Sequence, residues 1–139
     1  MLIRQTIPAR CRGPRLEEFK MRFMYLVTSA LPAAPTPELM EAMHKLADRE
    51  IKAGRMLDSG GLTPMASGAR VSVSDGGVKV LDGPFIEAKE VVGGYAIFEL
   101  SSKEEAVASA VEFMQLHKDH MPGWQGTCEV RPYAGFAGT

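Results

Sequence analysis

Gly93-Gly94-Tyr95-Ala96-Ile97-Phe98-Glu99-Leu100-Ser101-Ser102-Lys103-Glu104-Glu105 holds a strand, a helix start and the step between them. Tyr95 to Leu100 is rich in the aromatic and branched residues that suit a pleated surface, and two glycines introduce it. Ser101-x-x-Glu104 or Ser102-x-x-Glu105 then forms a capping box, in which the hydroxyl accepts from a first-turn N–H and the carboxylate returns a bond to the cap. Ala106, Val107, Ala110, Phe113 and Met114 follow at three- and four-residue steps, so one stripe of this helix is apolar, and Pro122-Gly123 ends it. Thr127 to Tyr133 resumes a strand pattern, which makes strand, helix, strand.

Upstream the same order occurs. Phe23, Tyr25 and Val27 alternate with Met24, Leu26 and Thr28, the pattern of a strand with both faces covered. Thr36-Pro37-Glu38 supplies a cap, a first-turn proline and an acid near the positive helix end. Leu39, Met43, Leu46, Ala47 and Ile51 form the apolar stripe of a helix over 38–53, closed by Gly54. Arg55 to Ser59 reads as a short strand ending at Gly60-Gly61. Between the halves lies a hairpin: Ala69, Val71 and Val73 alternate with polar residues, Asp75-Gly76-Gly77 tolerates positive φ, and Val78 and Val80 resume the alternation. Without that hairpin the order is βαββαβ. The expected class is α+β, a ferredoxin-like βαββαβ sandwich with a β-hairpin insertion and both helices on one sheet face. Apolar residues on both faces of the first strand call for a cover on the open face. A second copy of the chain is the economical one, giving a homodimer of the dimeric α/β-barrel type.

Composition fits one such domain. The 139 residues are 45% hydrophobic and 24% charged, and mean hydropathy is -0.06, which excludes a disordered chain and offers no run of about 18 apolar residues to span a bilayer. A net charge of -1 supplies no positive field for direct nucleic-acid binding. Cys11 and Cys128 are too few for a disulfide framework or a four-thiolate zinc site and suit a reducing, cytoplasmic setting. Residues 1–20 read as a basic extension, with Arg4, Arg10, Arg12, Arg15 and Lys20 against Glu17 and Glu18. A flexible arm, an upstream start before Met21 and a segment docking on a partner subunit all remain open for it. The domain proper is expected over 21–134, with 135–139 as a tail.

Candidate chemistry begins with Asp82-Gly83-Pro84-Phe85-Ile86-Glu87-Ala88-Lys89-Glu90. The Gly-Pro step forces a rigid turn, Phe85 can anchor it, and Asp82, Glu87, Lys89 and Glu90 could then bind a polar ligand or move a proton. A hairpin return with solvated charges explains the same residues. The helical wheel puts His117 inside the second helix's stripe, His120 at its edge and His44 at the border of the first helix's stripe. Each has a core or cap role as its alternative to chemistry. Arg131 could fork to a ligand carboxylate or pair with Glu129 or Glu99. Cys128 reads as a small inward apolar residue. No phosphate cradle, nucleophile elbow or metal-ligand set is present, so no cofactor and no metal are expected.

Four stretches together, Met21-Arg22-Phe23-Met24-Tyr25-Leu26-Val27, the Asp82-to-Glu90 run, Gly93-Gly94-Tyr95 and Glu129-Val130-Arg131-Pro132, resemble the DGPF-type branch of the YCII-related (YciI-like) family over about 21–134. That resemblance implies a ferredoxin-like chain dimerising through its sheets. It also implies a superfamily that includes a chlorinated-hydroquinone dehydrochlorinase, and a branch associated with extracytoplasmic-function sigma factors. Shorter members carry a helix histidine and a downstream aspartate as their active pair, which His44 and Asp82 approach here. His117, His120 and Trp124 fall in a His-x-x-His-x-Pro-Gly-Trp segment typical of the longer members. The expectation is a small-molecule enzyme or binder using Asp82 with His120 or His44 as acid and base. Glu87, Lys89, Glu90, Tyr95, His117 and Arg131 would contact a polar or aromatic ligand. The alternative is a non-catalytic dimeric module tied to sigma-factor-linked regulation. A membrane partner is not expected.

Overall fold

A computed structural model describes residues 20–29, 34–64, 67–82 and 91–134. Residues 1–19 of the basic extension with Cys11, Phe85, Glu87, Lys89, Glu90, the side chain of Asp82 and the tail after Ala134 lie outside the described residues. The elements run β1 (Met21–Ser29), α1 (Pro37–Lys52), β2 (Met56–Gly61), β3 (Ala69–Ser74), β4 (Gly77–Asp82), β5 (Val91–Leu100), α2 (Lys103–His120) and β6 (Gly126–Pro132). Four strands form one antiparallel sheet in the order β2-β5-β1-β6, and β3-β4 is a separate hairpin. Each βαβ half is therefore split by a strand of the other half, which is the ferredoxin-like α+β arrangement expected from the element order.

Local signals explain the ends of the elements. Thr36 caps α1 by accepting from the Leu39 N–H at 3.1 Å, with Pro37 first inside and Glu38 in the first turn. At the other end Gly54 takes φ +78°. Gly54 N–H then donates to Ile51 O and Arg55 N–H to Glu50 O, the paired bonds of a Schellman turn. Ser102, not Ser101, caps α2 by accepting from Glu105 N–H. The Glu105 carboxylate returns its bonds one residue upstream, to Ser101 N–H and Oγ. The hairpin turns on two residues, Asp75 (φ 51°) and Gly76 (φ 77°), both in the left-handed region that matches the twist of its strands, while Gly77 already pairs with Ser74.

Phe23 and Tyr25 of β1, Phe98 and Leu100 of β5, and Ala106 and Ala110 of α2 form the buried core, with Met56, Ala96, Cys128 and Val130 packed on it. Tyr25 and Phe98 stack at 4.6 Å. Tyr25 also donates to Ala106 O at 2.9 Å, and burial pushes its hydroxyl up to about 12. Leu39 of α1 is fully buried as well.

Three sequence expectations need correction. β5 begins at Val91, four residues before Tyr95, because Gly93 is the extra residue of a bulge: Val27 pairs with Gly94 and Thr28 with Val92. A side chain at Gly94 would also meet Gly60 O at 3.3 Å. Val107 does not belong to the buried stripe of α2 and is exposed at its flank, whereas His117 is buried. In α1 it is Glu50, not Ile51, that turns inward.

Candidate functional site

The helices cover one face of the sheet, and register sets what the other face displays. Side chains on either side of the core residues point away from the helices. One row across the sheet runs Gly60, Tyr95, Leu26, Glu129, the next Asp58, Ile97, Met24, Arg131, and a third holds Glu99 opposite Arg22. Met24, Leu26, Ile97 and Tyr95 make a half-buried apolar strip. Polar groups rim it: Arg22 donates to Glu99 at 2.9 Å, Arg131 lies 3.7 Å from Glu129, and the Thr28 and Thr127 hydroxyls meet at 2.7 Å.

Within this face Tyr95 and Asp58 form a hydrogen-bonded pair. Tyr95 Oη donates to Asp58 Oδ2 at 3.0 Å. The other carboxylate oxygen accepts the Ser59 N–H at 2.8 Å, which fixes the Asp58 side chain on its strand. Gly60 lies under the Tyr95 ring, where a Cβ would stand 3.0 Å from Cε1, so a glycine on this edge strand is what lets the ring lie down toward Asp58. The hydrogen bond to Asp58 holds the Tyr95 hydroxyl above its ordinary titration range. Tyr95 accordingly keeps its proton at neutral pH and donates it in the hydrogen bond that Asp58 accepts.

The three histidines occupy the helix layer, across the sheet from Tyr95 and Arg131. His44 is exposed on α1. His120 ends α2, and its backbone carbonyl accepts the Thr36 hydroxyl at 2.7 Å, joining the end of α2 to the cap of α1. His117 is buried against Phe113 and Trp124, with ring centroids 4.7 and 4.6 Å away. Its Nδ1 lies 3.1 Å from Phe113 O. A carbonyl only accepts, so Nδ1 carries the proton there. Burial holds this imidazole below its ordinary value, which makes it a neutral packing group.

The structure thus joins Tyr95 to Asp58 and Arg131 to Glu129 on one face and leaves His44, His117 and His120 behind the other. Asp82 ends β4, and Glu87, Lys89 and Glu90 are outside the described residues. Sequence reasoning missed Asp58, whose signal was its alternation in the short strand before Gly60-Gly61, and Glu50. The Glu50 carboxylate is buried and held by Arg55 at 2.7 and 2.8 Å and by Arg49 at 2.9 Å. These guanidinium bonds hold it below the usual carboxylate range, and Arg49 continues to Glu112 of α2 at 2.7 Å. That cluster locks α1, α2 and the start of β2 together. Cys128 packs on the core, and burial lifts its thiol to about 11, far from a thiolate nucleophile. Among the described residues no three His, Cys, Asp or Glu side chains converge as a metal-ligand set, and no helix is long and apolar enough to cross a membrane.

Comparison with known proteins adds a family to this geometry. An uncharacterised protein of Rhizobium meliloti (strain 1021) is 29% identical over 108 residues, covering 78% of this chain and 83% of the relative. The family model of the YCII-related domain matches residues 21–120, from the first residue of β1 to the last of α2. The chain belongs to the YCII-related domain family.

Proposed function

We propose that this protein is a homodimeric, cofactor-independent binder or acid–base enzyme for a polar aromatic or carboxylated small molecule, with its site on the open sheet face. The observation that carries this reading is the Tyr95–Asp58 pair beside the apolar strip of Met24, Leu26 and Ile97. An aromatic ring fits the strip, Tyr95 can donate to a developing oxyanion, Asp58 can take a proton, and Arg131 can hold a carboxylate. Stacking a second sheet over this face would exclude water and strengthen each of these contacts. Asp82 and His120, the pair expected from the chain itself, remain the competing acid and base.

The test is a ligand screen by NMR shift perturbation with hydroxybenzoates and hydroquinones, followed by turnover assays on those that bind. Tyr95→Phe and Asp58→Asn should each lower turnover by about 100-fold, the usual worth of a positioned acid or base, while the fold is retained. Full activity in both variants, with loss in Asp82→Asn or His120→Ala instead, would move the acid–base role from the Tyr95–Asp58 pair to those residues.

A second reading, a non-catalytic dimeric module accompanying sigma-factor-linked regulation, is favoured by one feature. Val71, Val73, Val78 and Val80 pair across the hairpin on one face and are 63–78% exposed, as a protein contact surface would be. Substituting Val73 and Val78 by Ser should then abolish partner capture and leave ligand binding unchanged.

A further inference from the structure

Along the outer flank of α2, on the helix side of the sheet and away from the face just described, runs an open groove of about 560 Å3. Its floor is Ala110, Met114, Cys128 and Val130, and its wall is Val107 and Val111, which are 43% and 60% exposed. Lys103 stands at one end and Lys118 at the other. Neither lysine has an ion pair among the described residues; of the four acids of α2, Glu105 bonds Ser101, Glu112 pairs with Arg49, Asp119 bonds Gln115, and Glu104 is exposed beside Lys103 without lining the groove. The charged residues that line the groove are thus two lysines, one at each end, and apart from Gln115 the lining between them is apolar.

Its far side is the edge strand β6. Tyr133 N–H donates to Arg22 O at 2.8 Å. By the two-residue alternation of an antiparallel ladder, Arg131 and Glu129 also turn their backbone groups to β1, while Val130 and Cys128 turn theirs outward. Pro132, which has no N–H to offer, falls on an outward position and ends the usable edge. Of the three residues whose N–H and C=O both face outward, Gly126 has no side chain, and the other two, Cys128 and Val130, are the ones whose side chains floor the groove.

We propose that this groove receives an extended peptide segment of a partner protein, added to the sheet as a strand beside β6, with alternate apolar side chains in the groove and an acidic residue near each end. Fifteen helical residues separate Lys103 from Lys118, about 22 Å, and an extended chain covers that span in six or seven residues at about 3.3 Å each. A helical ligand would leave the Val130 and Cys128 backbone groups without partners. A second copy pairing β6 to β6 in antiparallel fashion would set Lys103 of one chain beside Lys118 of the other, bringing together the like charges that line the two grooves. Charge thus favours an acidic partner over self-association at this edge.

The probe is a fluorescein-labelled seven-residue peptide alternating valine and threonine between terminal aspartates, titrated into the full chain by anisotropy. It should bind about tenfold or more tightly than the same peptide with terminal lysines, and Lys103→Glu with Lys118→Glu should reverse that preference. Val111→Asp should weaken binding about tenfold, as should N-methylation of the peptide amides that face β6. All three substituted positions are exposed, and circular dichroism checks that the fold is kept. The direct readout is hydrogen exchange: the Val130 and Cys128 amides should gain protection when the peptide binds. Equal binding of the two peptides, unchanged affinity in the variants, or no new protection at these two amides would each overturn the proposal. So would a doubled mass without peptide that Val111→Asp abolishes, since the edge would then belong to a second copy.

Discussion

Single side chains set how this protein responds to acid. Glu50 is 4% exposed, yet the two arginines that hold it are half in water. Its folded-state titration is depressed, so its contribution to stability is complete above the ordinary carboxylate value of about 4.3 and is lost as pH falls through the folded value. Glu50→Gln should cost about 1–3 kcal/mol at neutral pH and flatten the acid limb of a urea-unfolding series below pH ~5. Replacing both arginines by Met should cost more, about 3–5 kcal/mol, because it strands a buried carboxylate instead of freeing two cations that reach water. His117 acts in a separate window. Its folded value is also depressed, and because its neutral form is the one buried, its contribution is complete above about pH 6.5 and declines as pH falls below that. His117→Phe keeps an aromatic group beside Trp124 and should remove this upper step while leaving the lower one, which a denaturant midpoint measured at intervals from pH 7.5 to ~4 would show.

At the scale of elements, the signals that read correctly from sequence are those confined to a few neighbouring residues. Thr36-Pro37-Glu38 marked the start of α1 because cap, proline and dipole all act within one turn, and Asp75-Gly76 marked the hairpin because both residues accept positive φ. What was missed depends on distant partners. The glycine step at Gly93-Gly94 looks like a strand start until β1 is laid beside it and a bulge appears. Glu50 looks like one more surface acid of a helix until the Schellman turn brings Arg55 back over it. Asp58 gains meaning only from Tyr95, 37 positions away. Gly126 is a further case, silent in the sequence. A Cβ there would collide with the Trp124 ring and come within 2.5 Å of Thr28 O. The ring fills the corner where α2 hands over to β6, with His117 on its other side. Gly126→Ala should therefore destabilise the protein by about 1–3 kcal/mol, the range for overpacking. Thermal unfolding of the variant checks this, and quenching or enhancement of the single tryptophan's fluorescence reports whether its ring has moved.

For the whole molecule, the question is what covers the open sheet face. Met24, Leu26, Ile97 and Tyr95 form a contiguous apolar strip with two ion pairs and one hydroxyl pair at its border, the layout of an interface with an apolar middle and a polar rim. The hairpin poses the same demand, because β3 and β4 pair with each other and pack little against any other element, and a lone two-stranded ribbon is marginal in water. A twofold pair of chains could satisfy both surfaces at once, and then the two should fail together. Light scattering at micromolar concentration should give twice the 15.1 kDa chain mass. Leu26→Lys, which puts a charge at the middle of the strip and nothing into the core, should halve that mass with far-ultraviolet dichroism unchanged, since burying an unpaired charge costs more than 2 kcal/mol. In the monomeric variant the amides of residues 69–82 should lose hydrogen-exchange protection that they hold in the parent protein, whereas those of β1 and β5 should keep theirs. A monomer at all concentrations would remove the dimer. A dimer whose hairpin exchanges freely in both forms would keep the sheet contact and release the hairpin for another partner.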